Sequence, residues 1–313
     1  MTTEQTVEAL WAHQQRGDVF PAEWRGKLDM DEAYRVQLGI LERKLARGER
    51  QAGWKVGLTA DSMREMFGGK EPVFGYLLES GSIASGHALR FAELRSPMVE
   101  NEILVTLKAD LSGPDAAPEA ASRTIGTIAP AFEIVEMRGA DMRVDLPLAL
   151  TDNVAQRAFV HGAAIPFSDK LDFGDVRATV RINGEVKATP LGREAIDNQL
   201  RTVAWLANAL HRYGRRLQAG QRIMTGSFTK PLPVSPGDSF ETEFSGIERR
   251  NDWASRRSAA GAGGISFRGG SATASVGGRA GNVGVFDRHP SSSFSSSRSV
   301  SFSMVWRIWR IGR

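Results

Sequence analysis

Apolar positions recur at helical spacing in three stretches of the chain and alternate with polar ones in several others. Val7, Leu10 and Trp11 share a helical face; Thr2 and Gln5 stand at capping-box spacing before it, and Gly17 can end it. A second helix is predicted from about Asp31, with Tyr34, Leu38, Leu41 and Leu45 as its stripe and Gly48 as the C-terminal glycine. A third spans about Asp197 to Tyr213, lined by Leu200, Val203, Ala204, Ala207 and Leu210 and followed by Gly214. Between the second and third the texture is that of strands. In "NEILVTLKADL", Ile103, Val105, Leu107, Ala109 and Leu111 fall on one face. "PAFEIVEMR" is a shorter apolar run, and "VSPGDSFETEF" reads as a Pro-Gly turn into a strand. "VRATVRINGEVKAT" is two alternating runs joined by Asn183-Gly184, which suits a type I′ hairpin. Helices at the front and one late, around a strand-rich middle, predict an α+β fold rather than a doubly wound one.

After Ile247 the pattern changes. "RGGSATASVGGRAG" and "SSSFSSSRSVSFS" are rich in Gly, Ser and Arg without a period, so residues 248–313 read as a disordered tail appended to a domain over 1–247, whose first 50 residues are helical. Charge divides at the same place. From Arg249 onward eleven arginines face two acids, a charge of +9, so the whole-chain +4 leaves −5 for residues 1–248. The basic balance therefore belongs to the tail and predicts no nucleic-acid binding by the body. The 313 residues include no cysteine, which excludes disulfides and thiolate chemistry and fits the cytoplasm. No run of 18 apolar residues offers a membrane span.

Glu100 and Glu102 open a strand. Residues two apart project to one face, here the face opposite the Ile103–Leu111 stripe. Glu133 lies between Phe132 and Ile134 in a segment apolar enough to be buried, where an ionised carboxylate needs a partner or a metal. Together the three offer hard oxygen ligands for Mg²⁺ or Mn²⁺. The same spacing also suits a solvated strand face, and Glu133 also suits a pair with Arg138. Lys55, in "GWKVGLT", reads either as a lysine snorkelling from an edge strand or as a desolvated amine whose pKa is drawn down toward proton transfer.

These segments, in their order, resemble the 2-keto-4-pentenoate hydratase/2-oxohepta-3-ene-1,7-dioic acid hydratase family of the fumarylacetoacetate hydrolase superfamily. The matching pieces are "GWKVGLT", "EPVFGYL", "VENEILVTL", "PAFEIVEMR", "DNVAQRAFVHG" and "TGSFTKPLPVSPGD". The resemblance implies a mixed β-roll with a small helical N-terminal part. It implies Glu100, Glu102 and Glu133 as ligands of Mg²⁺ or Mn²⁺, Lys55 as a proton-transfer residue, and Thr225, Gly226, Ser227 and Asp152 as substrate-binding residues. The implied reaction adds water to a 2-hydroxy-2,4-dienoate, giving a 4-hydroxy-2-oxo acid of aromatic meta-cleavage catabolism. A homo-oligomer, or a complex of hydratase with decarboxylase, is implied as the assembly.

Two departures bear on this. Where many hydratases carry an acid pair after the "FGxL" segment, this chain has Glu79-Ser80, so Glu79 alone is left to activate water. "DNVAQRAFVHG" resembles the 4-oxalocrotonate decarboxylase members more closely, which keeps decarboxylation of such a 2-oxo acid as the alternative, beside C–C hydrolysis of the acylpyruvate type. The tail is the second departure. Unrelated sequence from Glu248 predicts a frameshift and a missing final strand, which would leave an open sheet edge. Intact mass and resequencing of the coding DNA test this; a verified reading frame through Arg313 overturns the frameshift.

Overall fold

The computed structural model describes residues 1–248 and 299–309, apart from 139, 140 and 197. Helices α1 (Thr3–Gln15) and α2 (Met30–Ala46) lead into β1 (Gln51–Gly57), the short α3 (Asp61–Met66), β2 (Val73–Leu78), β3 (Ser82–Ala84), β4 (Ala88–Arg90) and the long β5 (Pro97–Leu107). Next come α4 (Pro118–Thr124), β6 (Ile125–Glu136), α5 (Leu146–Thr151), β7 (Gln156–His161), β8 (Ile165–Pro166), β9 (Arg177–Ile182) and β10 (Glu185–Ala188). The order closes with α6 (Gly192–Ala195), α7 (Gln199–His211), β11 (Arg222–Ser227), β12 (Leu232–Pro233), β13 (Ser239–Glu248) and β14 (Ser299–Trp309). The class is α+β, as the pattern predicts.

The local signals act as expected. Thr2 and Gln5 form a complete capping box on α1. Asn183 and Gly184 both have positive φ, 55° and 81°, as a type I′ turn between β9 and β10 requires. The strands form two mixed sheets. Nine belong to one, in the order β2-β1-β11-β5-β6-β7-β3, with β12 beside β5 and β8 beside β6; five form the other, β10-β9-β13-β14-β4. β1 and β11 run parallel, whereas β11 pairs with β5, and β5 with β6, antiparallel.

The pleat of the central strands separates two environments. Ile103, Val105 and Leu107 point into the main core with Trp54 and Val56 of β1, Ile40 of α2 and Leu206 of α7. The opposite face carries a small apolar cluster that includes Leu104, Ala129, Ala131, Phe159 and Met224. Lys55, Glu100, Glu102 and Glu133 belong to that second face by alternation. Beyond the main core, Val99, Phe132 and Ile134 pack with Phe240 and Met304 of the smaller sheet.

The tail departs from the sequence expectation at Ser299–Trp309. These residues form β14, which lies between β13 and β4, so β13 has neighbours on both sides and the expected open edge is filled. The reason is visible in "SVSFSMVWRIW": Val300, Phe302, Met304, Trp306 and Ile308 alternate with Ser, Val and Arg, a strand period hidden within a biased composition. Met304 is buried. The disorder expected for residues 249–298 and 310–313 lies outside the described residues. Among the described residues no helix is long and apolar enough to cross a membrane.

Close contact between β1 and β11 rests on Gly53. Its φ is +152°, and a Cβ there would lie 1.8 Å from the Arg222 carbonyl oxygen. Gly53→Ala must push the two strands apart, and an expected loss of about 4 kcal/mol or more follows, read as a lowered urea midpoint.

Candidate functional site

Pairing of adjacent strands assembles the acidic cluster. Glu100 lies directly opposite Glu133 in the β5–β6 register, and Glu102 is opposite Ala131 on the same face. One carboxylate oxygen from each glutamate lies within 4.8 Å of the others. Lys55 reaches the cluster from β1, its Nζ 3.3 Å from Glu133 Oε1. Alternation in "GWKVG" explains the lysine: Trp54 and Val56 enter the core, so Lys55 must face the other way, toward the glutamates. Glu133 therefore pairs with Lys55, whereas Arg138 pairs with Asp152 at 2.8 Å and lies 3.7 Å from Glu136.

The electrostatics mark a site that lacks a countercharge. Glu102 Oε2 accepts a hydrogen bond from the Gly226 amide at 2.8 Å. Glu102 Oε1 and Glu133 Oε2 are buried without a hydrogen-bond partner, and Glu133 Oε1 has only the Lys55 ammonium at 3.3 Å. Burial, reinforced by the charge of Glu133, pushes Glu100 up to about 7. Burial also raises Glu102 well above the usual carboxylate range, and it raises Glu133 despite the opposing Lys55 ammonium. Burial pulls the Lys55 amine down, but Glu133, Glu100 and Glu102 together outweigh it and hold the amine above its ordinary value. A lysine drawn down toward neutrality is thus not what the structure gives; the amine stays charged because three carboxylates surround it. When all are ionised, one ammonium leaves two negative charges uncompensated, the charge of one divalent cation. Orphaned hard oxygens on three converging carboxylates fit Mg²⁺ or Mn²⁺.

The cluster opens onto a cavity of about 470 Å³, lined by Lys55 and Glu100, by Leu58 and Thr59 after β1, by Val154 and Ala155, and by Gly226, Ser227 and Phe228. Asn153, Val154 and Ala155 all have positive φ, 56°, 53° and 62°. Asn153 holds this strained turn in place: its Oδ1 accepts from the Tyr76 amide at 2.7 Å and its Nδ2 donates to the Tyr76 carbonyl at 2.8 Å.

Of the residues that the resemblance nominates, Lys55, Glu100, Glu102, Glu133, Gly226 and Ser227 come together here. Three do not. The Thr225 side chain turns away and donates its hydroxyl to the Ile103 carbonyl at 2.8 Å. Asp152 is buried outside the cavity on Arg138, and burial pushes it up to about 7 against the pull of that guanidinium. Glu79 follows the far end of β2 and pairs with Arg222, at the end of β11 remote from Gly226, so it does not line the cavity. Arg222 also approaches His161 at 3.5 Å, and His161 stacks on Phe159, which gives that histidine a packing role. Sequence reading missed the cavity's outer wall, Met63, Met66, Met98, Met137 and Met142, because these methionines are scattered over α3, β5 and the segment after β6 without a common period.

The model of the fumarylacetoacetate hydrolase C-terminal family matches residues 56–252. The chain belongs to the fumarylacetoacetate hydrolase family. It is 32% identical over 223 residues to the 2-hydroxyhexa-2,4-dienoate hydratase of Comamonas testosteroni, covering 71% of this chain and 84% of that one. It is 31% identical over 216 residues to a 4-oxalocrotonate decarboxylase of Pseudomonas, covering 69% and 82%. Among solved structures, the 4-oxalocrotonate decarboxylase of Pseudomonas putida G7, complexed with magnesium and adipate, superposes with a TM-score of 0.73 at 29% identity, over 78% of this chain and 95% of that one. The resemblance and the fold read from the sequence are both borne out.

Glu102→Gln is expected to weaken Mg²⁺ binding about a hundredfold or more, measured by calorimetry. Protons compete with the cation for these raised carboxyls. Binding should therefore release protons and weaken as the pH falls through 7, with the heat depending on the ionisation enthalpy of the buffer.

Proposed function

We propose that the chain is a metal-dependent hydratase that adds water to a 2-hydroxy-2,4-dienoate, such as 2-hydroxypenta-2,4-dienoate, giving a 4-hydroxy-2-oxo acid in aromatic meta-cleavage catabolism. The observation that carries the reading is the convergence of Glu100, Glu102, Glu133 and Lys55 beside one cavity, with Lys55 and Glu100 on its lining. The three carboxylates would hold Mg²⁺ or Mn²⁺, which would supply Lewis acidity to stabilise the enolate form of a 2-oxo acid. Lys55, charged and aimed at the same point, delivers a proton to the substrate as the dienol becomes a ketone, and water then adds at C4. Gly226 fixes Glu102 through its amide, and Val154, Ala155 and Phe228 wall the cavity beside them. We place the enzyme in the cytoplasm, as a homo-oligomer or a partner of a decarboxylase.

Placement of Glu79 outside the cavity favours a second reading, decarboxylation of a 4-oxalocrotonate-type acid, because loss of CO₂ needs the same electron sink but no activated water. Incubation of the Mg²⁺-loaded protein with 2-hydroxypenta-2,4-dienoate and, separately, 2-oxohex-3-enedioate separates the two by NMR of the products. Water added at C4 of the first supports the hydratase; CO₂ released from the second, with the first untouched, replaces it by the decarboxylase. In either case Lys55→Met should lower kcat by about 10²- to 10⁴-fold while Mg²⁺ still binds. Unchanged kcat removes Lys55 from the chemistry.

A further inference from the structure

We infer that the cavity beside the acidic cluster selects a substrate whose distal end is an apolar alkyl or aryl group and discriminates against a second carboxylate. This deepens the proposed function and rests on its placing the 2-oxo acid end at Glu100, Glu102 and Glu133.

Five of the nine methionines of the chain, Met63, Met66, Met98, Met137 and Met142, line this one cavity. The acid-bearing sheet face leads directly to them. Met98 precedes Glu100 on the same face of β5, two residues and therefore about 7 Å outward, and it pairs with Val135, which also lines the cavity. Phe67, Val154 and Phe228 complete the apolar surround. A ligand held at the glutamates extends outward into this cavity, since the inward direction on the face is closed by buried Leu104, Ala129 and Ala131.

Among the described residues that line the cavity the only cations are Lys55, already engaged by Glu133, and Lys230, which is exposed; no arginine or histidine lines it. A distal carboxylate among the methionines would be desolvated against thioethers and methyls, with no buried arginine, lysine or histidine free to pair it and only the solvated Lys230 on the lining, which is unfavourable. An alkyl or aryl group gains burial instead, and methionine side chains adapt to its shape. The volume, about 470 Å³, lies in the range of sites for ligands well beyond a five-carbon acid.

Calorimetry with unreactive 2-oxo acids in saturating Mg²⁺ tests this without turnover. Affinity should rise about fourfold per methylene from 2-oxopentanoate to 2-oxooctanoate. 2-Oxohexanoate should bind about tenfold or more tightly than 2-oxoadipate, which differs only by carrying a second carboxylate in place of its terminal methyl. Met98→Lys should narrow or reverse that preference, and Met66→Lys, on exposed α3, provides a second variant that leaves the core untouched. Flat affinity along the series, or tighter binding of 2-oxoadipate to the unmodified protein, with 2-oxopentanoate still bound, overturns this inference alone. Failure of every acid to bind, the shortest included, overturns it together with the proposed function.

Discussion

Three carboxylates held side by side away from water are the constraint around which this molecule is arranged. Ionised glutamates no more than 4.8 Å apart repel by about 3 kcal/mol per pair at an effective dielectric near 20. One lysine on β1 offsets part of this, and one amide on β11 engages one oxygen. The remainder is expressed as raised carboxyl pKa values and buried oxygens without partners. Such a cluster fits completion by a dication, and the strands that carry it are fixed from behind by apolar packing.

That fixing comes from the pleat. β1, β11, β5 and β6 each present one face to a hydrophobic cluster and one to the candidate site, so the residues that stabilise the sheet and those of the site alternate along the same strands. Trp54 and Val56 hold Lys55 in place; Ile103 and Val105 hold Glu102; Phe132 and Ile134 hold Glu133. A shift of register by one residue would bury the charges in the core and expose the core to the cavity, so pairing and function are specified together.

Around the cluster the cavity combines a rigid polar floor with an adaptable apolar wall. The floor is strand and a strained turn clamped by Asn153. The wall is methionine, drawn from segments with no regular relation to one another. The candidate site is thus built on rigid sheet, and the adaptable side chains of the wall suit a substrate end of variable shape.

By itself the sequence determined the helices, the Asn183-Gly184 hairpin, the alternation that sets Glu100 and Glu102 against the Ile103 stripe, and the family, because each is written in short-range spacing or in an ordered set of segments. Tertiary structure alone decided which candidates meet. Glu100 faces Glu133 because β5 and β6 are antiparallel in one register, and no local signal states a register across an intervening helix. Thr225, Asp152 and Glu79 sit in motifs next to the site, yet their side chains leave it for Ile103, Arg138 and Arg222, contacts with residues distant in the chain. The charge state of Lys55 was decided in the same way, since burial alone would have lowered its pKa and only the assembled glutamates raise it.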